Sequence, residues 1–321
     1  MNRYHFVHVT EFQYDGPVSE SYNEVRLRPL HDDRQSCLSF RLSTSPATRV
    51  TAYHDAYGNW VHQFNVLSEH RHLKIEAESV VLAHESTAEP SRILLAELQA
   101  NFPNLADDYY DFLTPTAYVP TLPELLVLTE EAEGQSDGTI HSFAQAVSDL
   151  IHQRFSYVKG ATHVHSSIRD ALSLSAGVCQ DFAHVALGVL RARGIPARYV
   201  SGYMVPSDAA EPQSKLEQVI GGQASHAWAE YLIPGEDWFG VDPTLGAPVG
   251  IRHVRVAYGR DYGDVAPVRG VYKGQAGQRL SVDVQVCPVV DDSGHSQLSN
   301  SATGTVEPPS PSDRPQQPAQ Q

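Results

Sequence analysis

The stretch that decides the fold is Gly177-Val178-Cys179-Gln180-Asp181-Phe182-Ala183-His184. Gly177 allows a turn, and from Cys179 onward apolar residues recur at helical spacing as far as the stop signal Arg193-Gly194-Ile195-Pro196. Cys179 is therefore predicted in the first turn of a helix. At that position the unpaired backbone N–H groups and the positive end of the helix dipole favour a thiolate, and the same N–H groups could hold an oxyanion.

The helix dipole alone is too weak to ionise this sulfur. A helix terminus contributes about 0.3 to 1 kcal/mol, whereas one pKa unit corresponds to about 1.4 kcal/mol. A reactive Cys179 would therefore need an imidazolium beside it. The competing interpretation is a small buried hydrophobic residue, the usual fate of an intracellular cysteine. Cys37 and Cys287 lack a comparable setting, and packing is the interpretation for both.

An imidazole and a carboxylate follow on two predicted strands. Gln223 to Ile233 alternates as a strand and carries His226, the residues Pro234-Gly235-Glu236-Asp237 form a turn, and Trp238 to Asp242 forms the returning strand. On a shared face, Asp242 would accept a hydrogen bond from one ring nitrogen of His226, leaving the other nitrogen for a sulfur. The alternative is a half-buried histidine beside a solvated aspartate.

The hairpin register decides between these interpretations. A four-residue loop would pair Ile233 with Trp238 and put His226 and Asp242 on opposite faces. An odd-length loop, or a bulge at Gly240, would put both side chains on one face. A catalytic group therefore requires one of these two irregularities.

These residues resemble the core of bacterial transglutaminase-like proteins. The resemblance rests on the stretch from Gly177 to His184, on Gly194 to Tyr203, on Ser225 to Glu230, on Trp238, and on Asp242-Pro243-Thr244. The β-rich region that precedes this core in the family is similar to the stretch containing Tyr14, Pro17-Val18, Asn23 to Leu27 and Gly58-Asn59. Together they cover most of residues 1 to 290. One position departs from the pattern, because the family more often has asparagine where Leu245 stands.

The resemblance implies an α+β fold, with a papain-like, transglutaminase-like catalytic core and an N-terminal antiparallel β domain. It also implies that Cys179 is a nucleophile, that His226 is its general base and acid, and that Asp242 is the orienting carboxylate. Arg260 belongs to a segment, Gly259 to Pro267, that resembles one following the core in the same family.

Four further residues are weaker candidates for contact with a substrate. Tyr157 and Gln180 are candidate oxyanion donors. Trp228 lies on the His226 face of its strand and would wall an acyl pocket, shield the histidine from water, or pack in the core. Arg260 would bind substrate or form an internal pair with an aspartate.

The pattern along the chain predicts four regions. Residues 1–85 contain short alternating strands with turn residues between them, Asp15-Gly16-Pro17 among these, and are predicted to form a β-sandwich-like domain. Residues 86–138 are a helical connecting region, and 139–290 are the catalytic core. Residues 291–321 are Ser-, Pro- and Gln-rich with few apolar residues, which predicts a disordered tail.

Three helices are predicted before the cysteine. They are Ser91 to Phe102, Leu122 to Glu133 with Thr121 and Glu124 spaced as a capping box, and Ser142 to Phe155 with one apolar stripe.

Composition limits the function classes. The net charge of -15, without a cluster of basic residues, argues against nucleic acid. No apolar run resembles a secretory signal or reaches membrane-spanning length, and the three cysteines contain no CxxC, so a cytoplasmic location is expected. Sixteen histidines form no clear ligand pattern, and no acidic loop has calcium-ligand spacing, so no metal and no cofactor are expected.

The sequence and the resemblance together predict thiol-dependent acyl transfer on amide bonds of a peptide or protein substrate. Hydrolysis is favoured over amine cross-linking. Two alternatives stay open: a true protein-glutamine acyltransferase, and a non-catalytic binding protein that keeps the fold.

Overall fold

The computed structural model describes residues 1–85, 89–206, 225–289 and 304–305. These residues form two antiparallel sheets and a group of helices, so the α+β prediction is confirmed. The first sheet lies in the N-terminal region, and the second carries the helix that begins at Cys179.

The N-terminal sheet is organised around one long strand, β1 (Asn2–Val25). Its first half pairs with β5 and β14 and its second half with β4 and β13, so the sheet curls around it as a single eight-stranded unit. The predicted turn at residues 15–17 is an irregularity inside this strand, where the pairing with β5 shifts between Gln13 and Val18. The other strands are β2 (Gln35–Ser45), β3 (Thr51–His54), β4 (Trp60–Val66), β5 (His70–Ala83), β13 (Val268–Lys273), β14 (Gln278–Pro288) and β15 (Gly304–Thr305).

Strands from the C-terminal end complete this sheet. β14 pairs with β1 along eleven positions, from Tyr4 opposite Pro288 to Tyr14 opposite Gln278. Sequence analysis assigned these residues to the catalytic core, because strand periodicity shows that a segment is a strand but not which strand it pairs with. The predicted tail lies outside the described residues apart from β15, which pairs with β14.

The helices agree with the sequence in part. Helices α3 (Pro123–Gln135) and α4 (Ile140–Arg154) occupy the predicted positions. No capping box precedes α3, because Pro123 opens the helix and Leu122 is its N-cap. The predicted helix from Ser91 to Phe102 is reduced to a 3₁₀ turn, Leu95–Glu97, and one α-turn, α1 (Leu98–Asn101).

A tertiary contact explains the missing helix. The backbone N–H of Leu95 donates to the carbonyl of Gly138, and the N–H of Ile140 donates to the carbonyl of Ile93. Residues 93–95 are therefore held extended against the start of α4, which overrides their helix propensity. The remaining short elements before α3 are α2 (Leu105–Asp108) and a 3₁₀ turn, Tyr110–Phe112.

The second sheet supports the candidate site. Its strand order is β11-β10-β9-β8-β12, and all pairs are antiparallel. The strands are β8 (Ala197–Met204), β9 (Ser225–Leu232), β10 (Trp238–Asp242), β11 (Ala247–Pro248) and β12 (His253–Gly259). A separate two-stranded parallel pair, β6 (Ser156–Tyr157) and β7 (Ala176–Gly177), flanks α5 (Ile168–Leu174).

Helix α6 (Cys179–Ala192) packs against this sheet and is almost entirely buried. Its apolar side chains share one core cluster with α3, α4 and the sheet, in which Phe143, Phe182 and Tyr231 are the largest fully buried residues. The short α7 (Tyr262–Val265) follows β12. None of the helices in the described ranges combines the length and the apolar character needed to cross a bilayer.

Two buried polar side chains join the N-terminal sheet to β12. The amide of Gln35 donates to the carbonyls of Leu30 and Arg255 at 2.9 and 2.8 Å, and its oxygen accepts from the N–H of Arg255 at 2.7 Å. The amide of Asn59 bonds both the N–H and the carbonyl of Tyr258. Each side-chain amide forms hydrogen bonds to β12 of the kind that the backbone of a neighbouring strand would form. These bonds connect the N-terminal sheet to the edge strand of the second sheet.

Candidate active site

Cys179 is the first residue of α6, as the sequence predicts, and is half-buried. The turn before it is held by Asp181, whose Oδ2 accepts from the N–H of Val178 at 2.8 Å and from the hydroxyl of Thr162 at 2.6 Å. An added Cβ at Gly177 would lie 2.6 Å from that same oxygen, so glycine is required there. The sulfur therefore sits at a rigid helix N-terminus.

The hairpin that carries His226 and Asp242 has an odd loop. Trp238 pairs with Leu232 and Val241 pairs with Ala229, which leaves five residues, 233–237, in the connection. The same register continued by one residue sets Asp242 opposite Trp228, and thus on the His226 face. The predicted odd-length loop is confirmed.

The carboxylate of Asp242 is fully buried and accepts four hydrogen bonds. Oδ2 accepts from Nε2 of His226 at 2.7 Å and from Nε2 of His253 at 3.0 Å. Oδ1 accepts from the N–H groups of Thr244 and Leu245 at 2.9 and 3.3 Å. Burial alone would raise the pKa of Asp242, but the charge of His226 and hydrogen bonds from His226 and His253 outweigh it. The pKa of this carboxyl is held well below its usual range, so Asp242 is ionised.

The electrostatics of His226 depend on both neighbours. Burial alone would lower its pKa, but the charge of Asp242, the hydrogen bond to it, and the interaction with Cys179 raise the pKa of His226 to about 10. Its second ring nitrogen, Nδ1, is buried and has no hydrogen-bond partner of normal geometry in the described part of the chain. The sulfur of Cys179 lies close enough to raise the pKa of the ring, and Nδ1 is the nitrogen left to face it. The structure thus brings the three predicted side chains together, whereas their catalytic roles remain predictions.

A second histidine, which the sequence did not single out, completes the group. Nε2 of His253 lies 3.0 Å from Oδ2 of Asp242, and its side chain is 5% exposed. His253 begins β12, which lies at the far edge of the sheet from β10. Nothing in the local sequence indicates that the chain crosses to that edge, so only the sheet order reveals this contact.

Comparison with known proteins establishes the family. The sequence matches the family model described as the bacterial transglutaminase-like N-terminal region over residues 4–82, and the transglutaminase-like superfamily model over residues 128–243. An uncharacterized protein of Mycobacterium leprae is 37% identical over 292 residues, which is 89% of this chain and 99% of the relative. The chain belongs to the transglutaminase-like superfamily. A further uncharacterized relative, from Mycobacterium bovis, is 32% identical and covers 92% of this chain and 95% of its own.

Two further comparisons concern named proteins. A solved structure from Cytophaga hutchinsonii, described as a candidate cysteine protease, superposes with a TM-score of 0.69 at 22% identity and covers 95% of this chain and 97% of the other. That likeness shows the fold. A Pseudomonas aeruginosa protein named protein-glutamine gamma-glutamyltransferase is 35% identical over 114 residues, which is 32% of this chain and 16% of that protein.

Two of the weaker substrate candidates lie beside the sulfur. Tyr157 pairs with Gly177, and burial together with the charges of Cys179 and Asp181 raises the pKa of its hydroxyl, which stays a proton donor. Gln180 is buried and its amide donates to the carbonyl of Val164 at 3.2 Å. Of these two residues, Tyr157 is the one whose hydroxyl interacts with Cys179, and contact of either residue with a substrate stays a prediction.

The other two candidates are placed differently. Trp228 is fully buried, with its ring centre 6.2 Å from that of His226 and 5.2 Å from that of His253. This position fits shielding of the histidines from water or packing in the core, rather than the wall of an open pocket.

Arg260 lies far from the sulfur. Its guanidinium pairs with Asp264 at 2.9 Å, and its carbonyl accepts from Arg191 near the C-terminal end of α6. Arg191 is twelve residues beyond Cys179, about 18 Å along a helix at 1.5 Å per residue. Of the two alternatives for Arg260, the internal pair with an aspartate is therefore the one observed, and its partner is Asp264.

Proposed function

We propose that this protein catalyses thiol-dependent acyl transfer on amide bonds, with Cys179 as nucleophile, His226 as general acid and base, and Asp242 as the carboxylate that orients the ring. The substrate class is a peptide or a protein. The single observation that carries the proposal is the buried His226, bonded at 2.7 Å to Asp242 on one side and interacting with Cys179 on the other.

The reaction would run in two halves. The sulfur of Cys179 attacks the amide carbonyl, and the resulting oxyanion is held by backbone N–H groups at the start of α6, with the hydroxyl of Tyr157 as a candidate second donor. His226 then gives its proton to the departing amine, leaving a thioester. A water molecule, deprotonated by His226, attacks the thioester, releases the acid and restores the thiol.

The electrostatics support the first half of the reaction. A histidine whose pKa is raised to about 10 carries its proton at neutral pH, and an imidazolium beside the sulfur supplies the stabilisation that the helix dipole alone cannot. Because Asp242 and Trp228 are fully buried, water does not screen the interaction from that side.

Water is the acceptor that we propose, because it needs no binding site of its own, whereas an amine acceptor does. A second candidate is amine transfer, which the similarity to the Pseudomonas glutamyltransferase over 114 residues favours. The cytoplasmic location expected from the sequence stays a prediction.

The test is direct trapping of the acyl intermediate. The protein is incubated with a peptide library, quenched in acid and digested, and the mass of the peptide containing Cys179 is measured. An acyl adduct on Cys179 that is absent from Cys179→Ala, and unchanged in Cys37→Ala, supports the proposal.

The fate of that adduct separates the alternatives. Release as a free acid in the presence of a primary amine indicates hydrolysis, and release as an amide of that amine indicates cross-linking. A protein that forms no adduct with any peptide, while still retaining some of them on a column, is the non-catalytic binding protein.

A further inference from the structure

Asp242 receives two imidazoles, and only one of them belongs to the proposed reaction. The Nε2 atoms of His226 and His253 both lie against Oδ2, at 2.7 and 3.0 Å. All three side chains are at most 5% exposed. A second buried histidine at this oxygen needs a physical explanation, because a buried polar side chain is costly unless it is satisfied.

The hydrogen-bond partners of His253 indicate which of its ring nitrogens carries the proton. Nδ1 of His253 accepts the backbone N–H of Gly250 at 3.2 Å, so the lone pair of this nitrogen is in use. The ring proton is therefore on Nε2, where it is donated to Asp242. His253 acts as a donor through Nε2, held in place by the turn that precedes it, in which its own N–H donates to the carbonyl of Gly250 at 2.9 Å.

We propose that His253 is a positioning residue, which holds the carboxylate of Asp242 in the orientation that aims the His226 ring at Cys179. This inference rests on the proposed function and identifies the support of its site. The hydrogen bond of normal geometry that the His226 ring makes among the described residues is the one from Nε2 to Asp242, whereas Nδ1 faces the sulfur of Cys179. The direction in which the ring presents Nδ1 to the sulfur therefore depends on the orientation of Asp242.

The anchoring of Asp242 shows what His253 adds. Oδ1 is fixed by two backbone N–H groups, but without His253 the oxygen Oδ2 would be held by His226 alone. In that case Oδ2 would have the His226 ring as its one hydrogen-bond partner among the described residues, and this oxygen and the ring would orient each other. His253 is fixed independently, by Gly250 and by edge-to-face packing on Trp228 at 5.2 Å. It thereby connects the reacting pair to the scaffold.

A cation is the competing explanation for this cluster. The ligand-type atoms of His226, Asp242 and His253 lie within 4.8 Å of one another, a spacing that a metal would also accept. Both Nε2 atoms, however, are already at hydrogen-bond distance from the same oxygen, and a bound cation would have to replace both protons. The hydrogen bonds satisfy these atoms of the cluster without a metal.

Two substitutions separate positioning from a merely structural role. His253→Gln puts an amide N–H near the position of Nε2 and keeps a donor for Asp242. His253→Asn puts an amide oxygen near the position of Nδ1, so it keeps the acceptor for Gly250 but loses the donor. If His253 positions Asp242, the glutamine variant retains function and the asparagine variant does not. If His253 only stabilises the turn, the order is reversed.

The readout is the pH dependence of Cys179 alkylation by iodoacetamide, measured together with the melting temperature. We expect His253→Asn to lower the alkylation rate at about pH 6 by about tenfold or more, the effect typical of losing an outer hydrogen-bond partner, and to move the acid limb to higher pH. His253→Gln should stay within about threefold of the parent protein. A parent-like profile for His253→Asn, or equal losses in both variants that follow only the melting temperature, would overturn the proposal.

A measurement on the unsubstituted protein covers the case in which neither variant folds. Nitrogen-15 spectra of histidine-labelled protein should show His253 as the Nε2–H tautomer, with Nδ1 unprotonated, at neutral pH. An Nδ1–H tautomer, a doubly protonated ring, or loss of both proton signals with recovery on adding a chelator would refute the positioning role. These results are independent of the proposed function, which fails instead if Cys179 of the unsubstituted protein is not selectively alkylated.

Discussion

At the scale of single residues, the chemistry depends on competition between burial and charge at His226. Burial lowers the pKa of an imidazole, and an ionised partner raises it; here the partner prevails, and the pKa of His226 rises to about 10. Asp242 stays ionised for the reciprocal reason. Both pKa shifts come from the interaction between His226 and Asp242. Removing the charge of one residue should therefore reverse the pKa shift of the other.

The first prediction concerns Asp242→Asn. The raised pKa keeps His226 protonated below about pH 10, so kcat/KM of the parent protein should hold through pH 9 and fall as the pH passes through that pKa. Asparagine removes the charge and leaves burial, which lowers the pKa of His226. We expect the alkaline limb to move down by about two pH units or more, and kcat/KM at neutral pH to fall about 10²-fold or more. An alkaline limb that does not move would contradict this interpretation of His226.

At the scale of elements, two turns set the geometry. The five-residue loop at 233–237 puts His226 and Asp242 on one face, and the Gly177 turn puts Cys179 at the start of α6. Both follow from local sequence, because glycine and proline positions constrain turns. The extended segment at 93–95 does not, because its partner is Gly138, more than forty residues away.

The second prediction concerns the close approach of strands at Gly202. A Cβ there would lie 2.2 Å from the carbonyl of Val254 and 2.5 Å from the ring of Trp228. We therefore expect Gly202→Ala to lower the free energy of unfolding by about 2 kcal/mol or more, because a backbone carbonyl and a fully buried ring cannot both move aside. Chemical denaturation measures this change.

The matched control is Gly134→Ala in α3, where an added Cβ meets nothing within 4 Å. Alanine in a helix is favoured over glycine by about 0.5 to 1 kcal/mol, so this variant should be neutral or slightly more stable. Equal stability of the two variants would show that the approach at Gly202 is looser than described.

At the scale of the whole molecule, strands from the first and the last long described segments of the chain share one sheet, and that sheet is hydrogen-bonded to the edge strand of the other. β14 lies beside β1, and the buried Gln35 bonds the backbone of β12 at Arg255. The N-terminal region is therefore part of the support of the site, because β12 begins at His253.

The third prediction tests that support. Gln35→Leu removes the side-chain partner of the buried carbonyl of Leu30 and of the buried N–H of Arg255, and each unsatisfied group costs about 1 to 3 kcal/mol. The carbonyl of Arg255 keeps its hydrogen bond from the N–H of Leu30 at 3.0 Å. We expect the free energy of unfolding to fall by about 2 kcal/mol or more. The same change at the exposed Gln13 should have little effect. Comparable unfolding curves for the two variants would show that the hydrogen bonds of Gln35 contribute little to the free energy of unfolding.

The features that could be predicted from the sequence are those that depend on residues close together along the chain. The start of α6, the odd hairpin loop and the placing of His226 beside Asp242 depend on local pattern and are confirmed. The pairing of β14 with β1 and the contact of His253 with Asp242 depend on strand order, which local periodicity does not contain. The sequence therefore predicted the clustering of Cys179, His226 and Asp242 and missed the contact that His253 makes with Asp242.

Competitive alkylation tests whether His226 activates Cys179. Burial raises the pKa of Cys37, and Cys287 is exposed, so these thiols provide a slow and an accessible reference in the same chain. We expect iodoacetamide at about pH 6 to modify the half-buried Cys179 faster than the exposed Cys287, and His226→Gln to abolish the difference. Equal, slow modification of all three cysteines in the parent protein would contradict it.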